Sequence, residues 1–126
     1  MTVIVDTSAW YAFVVATDYS HQAATKFIQP DTNLVFPLTV FEEFEALIQS
    51  RFGKKKAIEN GSKIIRYGVL TPTKMDMRAS WKMFRQSPAA VSYVDCTVAA
   101  VANRLNLPVF GFDPHFSKNL GVKQVP

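Results

Sequence analysis

The sequence predicts an α/β protein in which a parallel sheet of about four to five short strands carries helices on both faces. Three observations support that fold class. Runs of β-formers such as Thr2-Val3-Ile4-Val5 and Leu34-Val35-Phe36-Pro37 show no polar alternation, so they suit strands buried on both faces. Segments of helical length separate these runs along the whole chain. The 126 residues, 48% hydrophobic and 19% charged, suit one globular domain over residues 1–126.

Taken in order, the first strand covers Thr2–Val5 and stops at Asp6. A short apolar helix follows around Ala9–Val15, then a second from about Tyr19 to Gln29 with Asp18 placed to cap it. Gln29-Pro30-Asp31-Thr32-Asn33 is rich in breakers and reads as a turn before the LVFP strand. Thr39 opens a helix that runs to Phe52 and is closed by Gly53, and another helix spans roughly Lys54–Tyr67, weakened by Asn60-Gly61. A brief strand at Val69–Thr71 leads to a helix capped by Thr73 and ending near Arg85. After the SPAAVS loop, Ser92 starts a helix to about Leu105, PVFGF forms a strand, and VKQV supplies a final edge strand.

Composition narrows the function classes. One cysteine, Cys96, excludes an internal disulfide and suits a reducing compartment, where it packs as a small apolar residue. The start shows no basic region followed by an apolar stretch, and the longest apolar run, WYAFVVA, is far short of the ~20 residues of a membrane span. A soluble, cytoplasmic protein with no membrane partner is therefore expected. The net charge is +4, but its distribution is uneven. Residues 1–50 hold one lysine against six acids, whereas residues 51–85 hold ten basic residues against two acids. That basic band begins with Arg51, Lys54, Lys55 and Lys56 and continues to Arg78, Lys82 and Arg85, which suits either a polyanionic partner or a solvated helix surface.

Four carboxylates stand out by position. Asp6 ends the first strand, and Asp113 follows the VFGF strand. Asp95 lies in a Ser92-x-x-Asp95 capping pattern, and Glu43 is beside Glu42 on the helix from Thr39. The Thr39-x-x-Glu42 pattern assigns Glu42 to a capping box, and helical spacing puts Glu43 between Val40 and Leu47, along or beside the apolar stripe that should face the core. Each acid alone also has a structural reading, as a cap or as a boundary residue. Together they would converge outside the carboxyl ends of a parallel sheet, where such sheets place their sites. Converging carboxylates without Cys or His partners suit a hard cation, Mg²⁺ or Mn²⁺ rather than zinc. Beside a basic band, such a pocket suits phosphodiester hydrolysis, with the cation polarising a phosphoryl oxygen and activating water.

The motifs VIVDTSAW, FEEFEALIQSRFG and SYVDCTVAAVANRLNLPVFGFDPHF, followed by GVKQVP, resemble those of PIN-domain ribonucleases, closest to VapC-type toxins of toxin–antitoxin pairs. The resemblance covers essentially the whole chain. It implies a PIN-like three-layer sandwich around a twisted parallel sheet, a Mg²⁺- or Mn²⁺-dependent endoribonuclease acting on tRNA or rRNA, a homodimer, and inhibition by a small cognate antitoxin. It also implies that Asp6, Glu43, Asp95 and Asp113 are the catalytic metal ligands. Many relatives carry threonine two residues before the last aspartate, where this chain has Gly111, so a supporting hydroxyl is expected from Thr7, Ser8 or Thr97 instead.

Other candidates have plainer readings. His21 is expected at the surface and His115 in a loop after a strand, without general-base roles. Trp10, Tyr11 and Phe13 are expected mainly in the core, although an exposed patch there would suit antitoxin docking. Trp81 is expected in the core rather than as a base-stacking platform. Three rival functions are a PIN nuclease of RNA processing without an antitoxin, a catalytically silent RNA-binding module, and an aspartyl-phosphate enzyme using Asp6 as nucleophile. Intact acids at all four positions disfavour the silent module. The lack of a suitably placed lysine and of a second aspartate near Asp6 disfavours the phosphoenzyme.

Overall fold

A computed structural model describes residues 1–126. Five strands, β1 (Thr2–Val5), β2 (Asn33–Pro37), β3 (Val69–Leu70), β4 (Val109–Phe110) and β5 (Gln124–Val125), form one sheet in the order β3-β2-β1-β4-β5. Every neighbouring pair is parallel, with Ile4 opposite both Val35 and Val109. The expected α/β class with a parallel sheet of four to five strands is therefore observed. The central strand has a strand on each side and a hydrophobic core on each face, so Val3, Ile4 and Val5 are fully buried. Their side chains alternate between the two faces. Val3 and Val5 join a core with Trp10, Phe36, Phe44 and Ile64, and Ile4 joins another with Val98, Val101, Val109 and Phe116.

Seven helices fill the outer layers: α1 (Thr7–Val14), α2 (His21–Phe27), α3 (Leu38–Phe52), α4 (Lys54–Tyr67), α5 (Lys74–Gln86), α6 (Tyr93–Leu105) and α7 (His115–Lys118). None is long and apolar enough to cross a membrane. Gly53, at φ 91°, allows the sharp turn between α3 and α4. The Gly61 that weakens α4 by propensity has a packing reason, because a Cβ there would lie 2.7 Å from the Glu45 carboxylate of α3. The helix stays continuous through it.

Three local expectations need correction. The capping box at Thr39 and Glu42 does not form: β2 runs straight into α3, Pro37 pairs with Leu70 and serves as the cap, and Thr39 already lies inside the helix with its hydroxyl buried and unpartnered. The second helix is shorter than predicted, and Asp18 closes the turn before it by accepting the Ser20 N–H at 2.9 Å. Trp81 is not in the core but 56% exposed. The inward face of α5 is taken by Asp76 and Ser80, and Trp81 lies on another side of the helix.

The α5–α6 hairpin explains that choice. Asp76, 2% exposed, closes a capping box with Thr73 and accepts two hydrogen bonds from Arg104, at 2.8 and 2.9 Å. This fork joins the start of α5 to the end of α6 and holds the Asp76 carboxyl below the usual range, chiefly through the Arg104 hydrogen bond. Replacing Asp76 by alanine removes both the cap and the pair, so a fall in melting temperature of about 5–10 °C is expected. An unchanged melt would show that the fork contributes nothing.

Candidate active site

The connectivity dictates where the four acids go. A helix that leads into a parallel strand runs antiparallel to it, so the start of α6 lies at the carboxyl edge of the sheet, where β1, β2 and β4 end. Asp6 follows β1 directly, Glu43 lies in the second turn of α3 after β2, Asp95 lies in the first turn of α6, and Asp113 precedes α7 after β4. The chain order changes sides at β1, with β2 on one flank and β4 on the other, which is where open parallel sheets form crevices.

Asp6 is the buried member, 4% exposed. Burial raises its pKa from the ordinary 3.8 to about 7, against the opposing effect of the Ser8 hydrogen bonds, and the charges of Asp95 and Glu43 add to the rise. Asp95 is also raised, chiefly by burial and to a smaller extent by the charge of Asp113, while the hydrogen bonds from Ser92 and the charge of His115 oppose the rise. The charges thus couple along a row from Glu43 through Asp6 and Asp95 to Asp113. Asp6 senses Glu43 and not Glu42, although both are exposed on α3. The capping argument that separates these two glutamates in the sequence has no structural basis, whereas proximity to Asp6 does separate them.

Each aspartate serves locally with one oxygen. Asp6 Oδ2 caps α1 by accepting the Ser8 N–H at 3.3 Å and also takes the Ser8 hydroxyl at 2.6 Å. Asp95 Oδ2 accepts the Ser92 N–H, and Asp113 Oδ1 accepts the His115 N–H. The cap readings hold for Asp6 and Asp95, whereas Pro114 and not Asp113 is the cap of α7; in all three carboxylates the other oxygen is left without a protein hydrogen bond. That all-oxygen donor set, with acids repelling one another around a buried member, fits a hard divalent cation. The side chains are nonetheless not drawn into a closed shell, since no three acids, histidines or cysteines stand in ligand geometry.

Among the expected supporting hydroxyls, Ser8 reaches Asp6 and also accepts the Phe112 N–H at 3.4 Å, tying the first strand's end to the loop after β4. Thr97 donates instead to Tyr93 O within its own helix, and the Thr7 hydroxyl is buried without a partner. Gly111 is needed for contact: a Cβ there would lie 3.2 Å from Asp6 Cβ and 3.5 Å from Phe116. Gly111→Thr should therefore shift the Asp6 carboxylate by a few tenths of an ångström and, if the four acids act on RNA as the sequence resemblance implies, slow cleavage about 10- to 100-fold with the fold retained. Wild-type rates in that variant would show that Asp6 has room to spare.

An open cleft of about 600 Å³ adjoins this edge, with Ser8, Tyr11, Arg51 and Asp113 among its walls. Arg51 donates to the Tyr11 hydroxyl at 2.8 Å. Lys54, Lys55 and Lys56 are exposed on the first turn of α4 and do not line it. Lys56 pairs with Glu59 at 3.6 Å beside a separate groove that it shares with Lys63. Of the four basic residues singled out in the sequence, only Arg51 borders the cleft. His21 bonds Ala12 O and joins α2 to α1, and His115 lies against Asp113 and Asn119. Trp10 is in the core, as expected, with Tyr11 and Phe13 half-buried beside it.

Sequence reasoning missed the Tyr11–Arg51 contact, which joins α1 to α3 and has no local sequence signal. It also missed Glu45, whose pKa burial raises and whose Oε1 has no partner against Gly61.

Solved structures show the same architecture. VapC20 from Mycobacterium tuberculosis, described as a sarcin–ricin loop cleaving toxin, is 26% identical over 98% of both chains with a TM-score of 0.81. VapBC2 from Rickettsia felis, bound to a promoter DNA fragment, gives 0.76 at 9% identity over 99% of this chain and 98% of that one. A toxin–antitoxin complex from Klebsiella pneumoniae gives 0.69 at 10% identity over 94% and 90% of the two chains. No significant match was found among curated protein sequences. The PIN domain family model matches residues 3–119, nearly the whole chain, and with the parallel sheet and the acids at its carboxyl edge this shows that the protein belongs to the PIN-domain family.

Proposed function

We propose that this protein is a divalent-metal-dependent endoribonuclease and the toxin of a toxin–antitoxin pair, cleaving a structured RNA of the tRNA or rRNA class. The observation that carries the proposal is Asp6, a carboxylate buried at the sheet's switch point and coupled to Glu43 and Asp95, which costs the fold energy unless a cation relieves it. The likeness to VapC20 supports the choice of RNA, and the likeness to toxin–antitoxin complexes supports a small antitoxin as partner. Asp6, Glu43, Asp95 and Asp113 are the proposed metal-holding residues, with Mg²⁺ or Mn²⁺ as the proposed ion.

A bound cation would supply charge neutralisation at the phosphate and a more acidic water. The chain's own residues supply the positioning. Ser8 fixes the Asp6 carboxylate by donating to Oδ2, the Ser92–Asp95 capping box fixes Asp95, and the His115 N–H fixes Asp113. Arg51 on the cleft wall is placed to meet a phosphate. A homodimer and a cytoplasmic location belong to the same proposal.

The test is cleavage of labelled total tRNA and rRNA by wild type and Asp95→Asn, each with Mg²⁺, Mn²⁺ or EDTA. Discrete cuts by wild type with metal alone are expected. Binding of RNA by both proteins without cleavage under any condition would replace the proposal with a silent RNA-binding module.

A further inference from the structure

The open cleft beside the acids carries three groups that holding a cation does not require: Tyr11, Tyr19 and Arg51. Hydrogen bonds fix its place relative to the acids. Asp113 is one of its walls, and Ser8, another, donates to Asp6 at 2.6 Å and accepts from the Phe112 N–H. Tyr11 follows Ser8 by three residues on α1, so the two share a side of that helix. Glu43, Leu47 and Arg51 recur every four residues on α3, which puts Arg51 two turns, about 12 Å, along the helix from Glu43.

Arg51 faces this acid-bordered cleft without an ion pair. Its side chain donates instead to the neutral Tyr11 hydroxyl at 2.8 Å, with the guanidinium carbon 5.2 Å from the ring centroid. That contact holds the guanidinium on the cleft wall and leaves its charge and its remaining N–H groups for an anion. Tyr19, on the same cleft, is fully exposed. The turn that presents it is pinned, because Asp18 accepts the Ser20 N–H at 2.9 Å and the His21 ring bonds Ala12 O at 2.7 Å. A lone exposed ring elsewhere on a surface needs no explanation. Here it shares a cleft with an unpaired cation, and the pair matches the two parts of a nucleotide, base to ring and phosphate to guanidinium. An apolar peptide is a poorer occupant, since Asp18, Ser20 and Asp113 make the walls polar.

We propose that this cleft is a nucleotide subsite, in which Tyr19 stacks on an unpaired base next to the bond that is cut, Arg51 holds the adjoining phosphate, and Tyr11 is the positioning residue for Arg51. The proposal rests on the ribonuclease reading and deepens it by naming the substrate feature, an unstacked base beside the cut.

The test measures binding of fluorescently labelled hexaadenylate RNA, and of a hexamer of abasic ribose phosphates, in EDTA over a range of salt concentrations. Cleavage of total tRNA and rRNA with Mn²⁺ is followed in parallel. Tyr19→Ala should weaken binding of hexaadenylate about 5- to 100-fold and leave the abasic hexamer unchanged, and Tyr19→Phe should restore most of the loss. Arg51→Gln should weaken both oligomers and reduce the salt slope by about 0.7, the value for one phosphate on a single strand. Tyr11→Phe should weaken both oligomers alike and add nothing to Arg51→Gln in the double variant. Fully additive losses would remove Tyr11 from its positioning role. Equal effects of Tyr19→Ala on both hexamers, or none, with RNA cleavage by wild type intact, would overturn the subsite and leave the nuclease reading standing. A wild type that neither binds nor cuts RNA would overturn both. If Tyr19→Ala left RNA binding unchanged but abolished the complex with a co-expressed antitoxin, the cleft would be a protein seat and the subsite would fall.

Discussion

Replacing Asp6 by asparagine should lower RNA cleavage by about 10³-fold or more while making the metal-free protein more stable at pH 8. The two effects have one cause. The carboxylate is buried and coupled to Glu43 and Asp95, so its charge is costly in the absence of a cation and is the feature a cation needs. Losing several kcal/mol of transition-state stabilisation accounts for the size of the rate loss. Asparagine keeps an oxygen for the Ser8 N–H, so the cap of α1 survives. Cleavage assays with Mn²⁺, paired with thermal melts in EDTA, separate the two arms. An active variant contradicts the catalytic assignment, and a less stable one contradicts the account of Asp6 as a strained charge.

Metal-free wild type should lose stability as the pH rises from about 4 to 7. In that window the folded protein keeps the Asp6 proton, with its pKa raised to about 7, while the unfolded chain has released it near 3.8. The folded state binds more protons, so the free energy of unfolding falls with pH, by on the order of 4 kcal/mol in all. Asp95 and Glu45 are shifted in the same direction and reinforce the slope. Asp76 is shifted the other way, and its contribution is lost only as the pH falls below the usual carboxylate range. Denaturant unfolding in EDTA at pH 5, 6, 7 and 8 measures the slope. Added Mn²⁺ should reverse it, because the ion needs Asp6 ionised and binds the folded state alone. A flat profile in EDTA would show that Asp6 ionises without cost.

Much of this was legible in the sequence, because the chain's strongest patterns are also its structural determinants. The unbroken apolar run Val3-Ile4-Val5 announces a strand buried on both sides, and it is the central one. Ser92 and Thr73 announce helix starts and both form capping boxes. The alternation of strands and helices yields the parallel sheet, which places the ends of β1 and β4 together and so brings Asp6 toward Asp113. What local pattern does not encode is which partner a helix face will meet. Thr39-x-x-Glu42 has the spacing of a capping box, but pairing of Pro37 with Leu70 starts the helix earlier and leaves that pattern unused. Trp81 looks like a core residue by size, yet the buried fork between Asp76 and Arg104 sets the rotation of α5 and leaves the indole outside. Arg51 and Lys54 are near neighbours in sequence, but the turn at Gly53 separates them onto two helices, and only Arg51 borders the cleft.

The central claim is that four carboxylates, none of them in closed ligand geometry with two others, form one cation site. Equilibrium Mn²⁺ binding, followed through the spin-resonance signal of the free ion with proton release recorded, tests it most directly. Wild type should bind with release of a proton near pH 7 and with affinity that rises from pH 6 to pH 8. Asp6→Asn, Glu43→Gln, Asp95→Asn and Asp113→Asn should each weaken binding by at least the roughly 10- to 100-fold that loss of a supporting contact produces. Binding that is absent from wild type, or equal in all five proteins and indifferent to pH, would contradict the account.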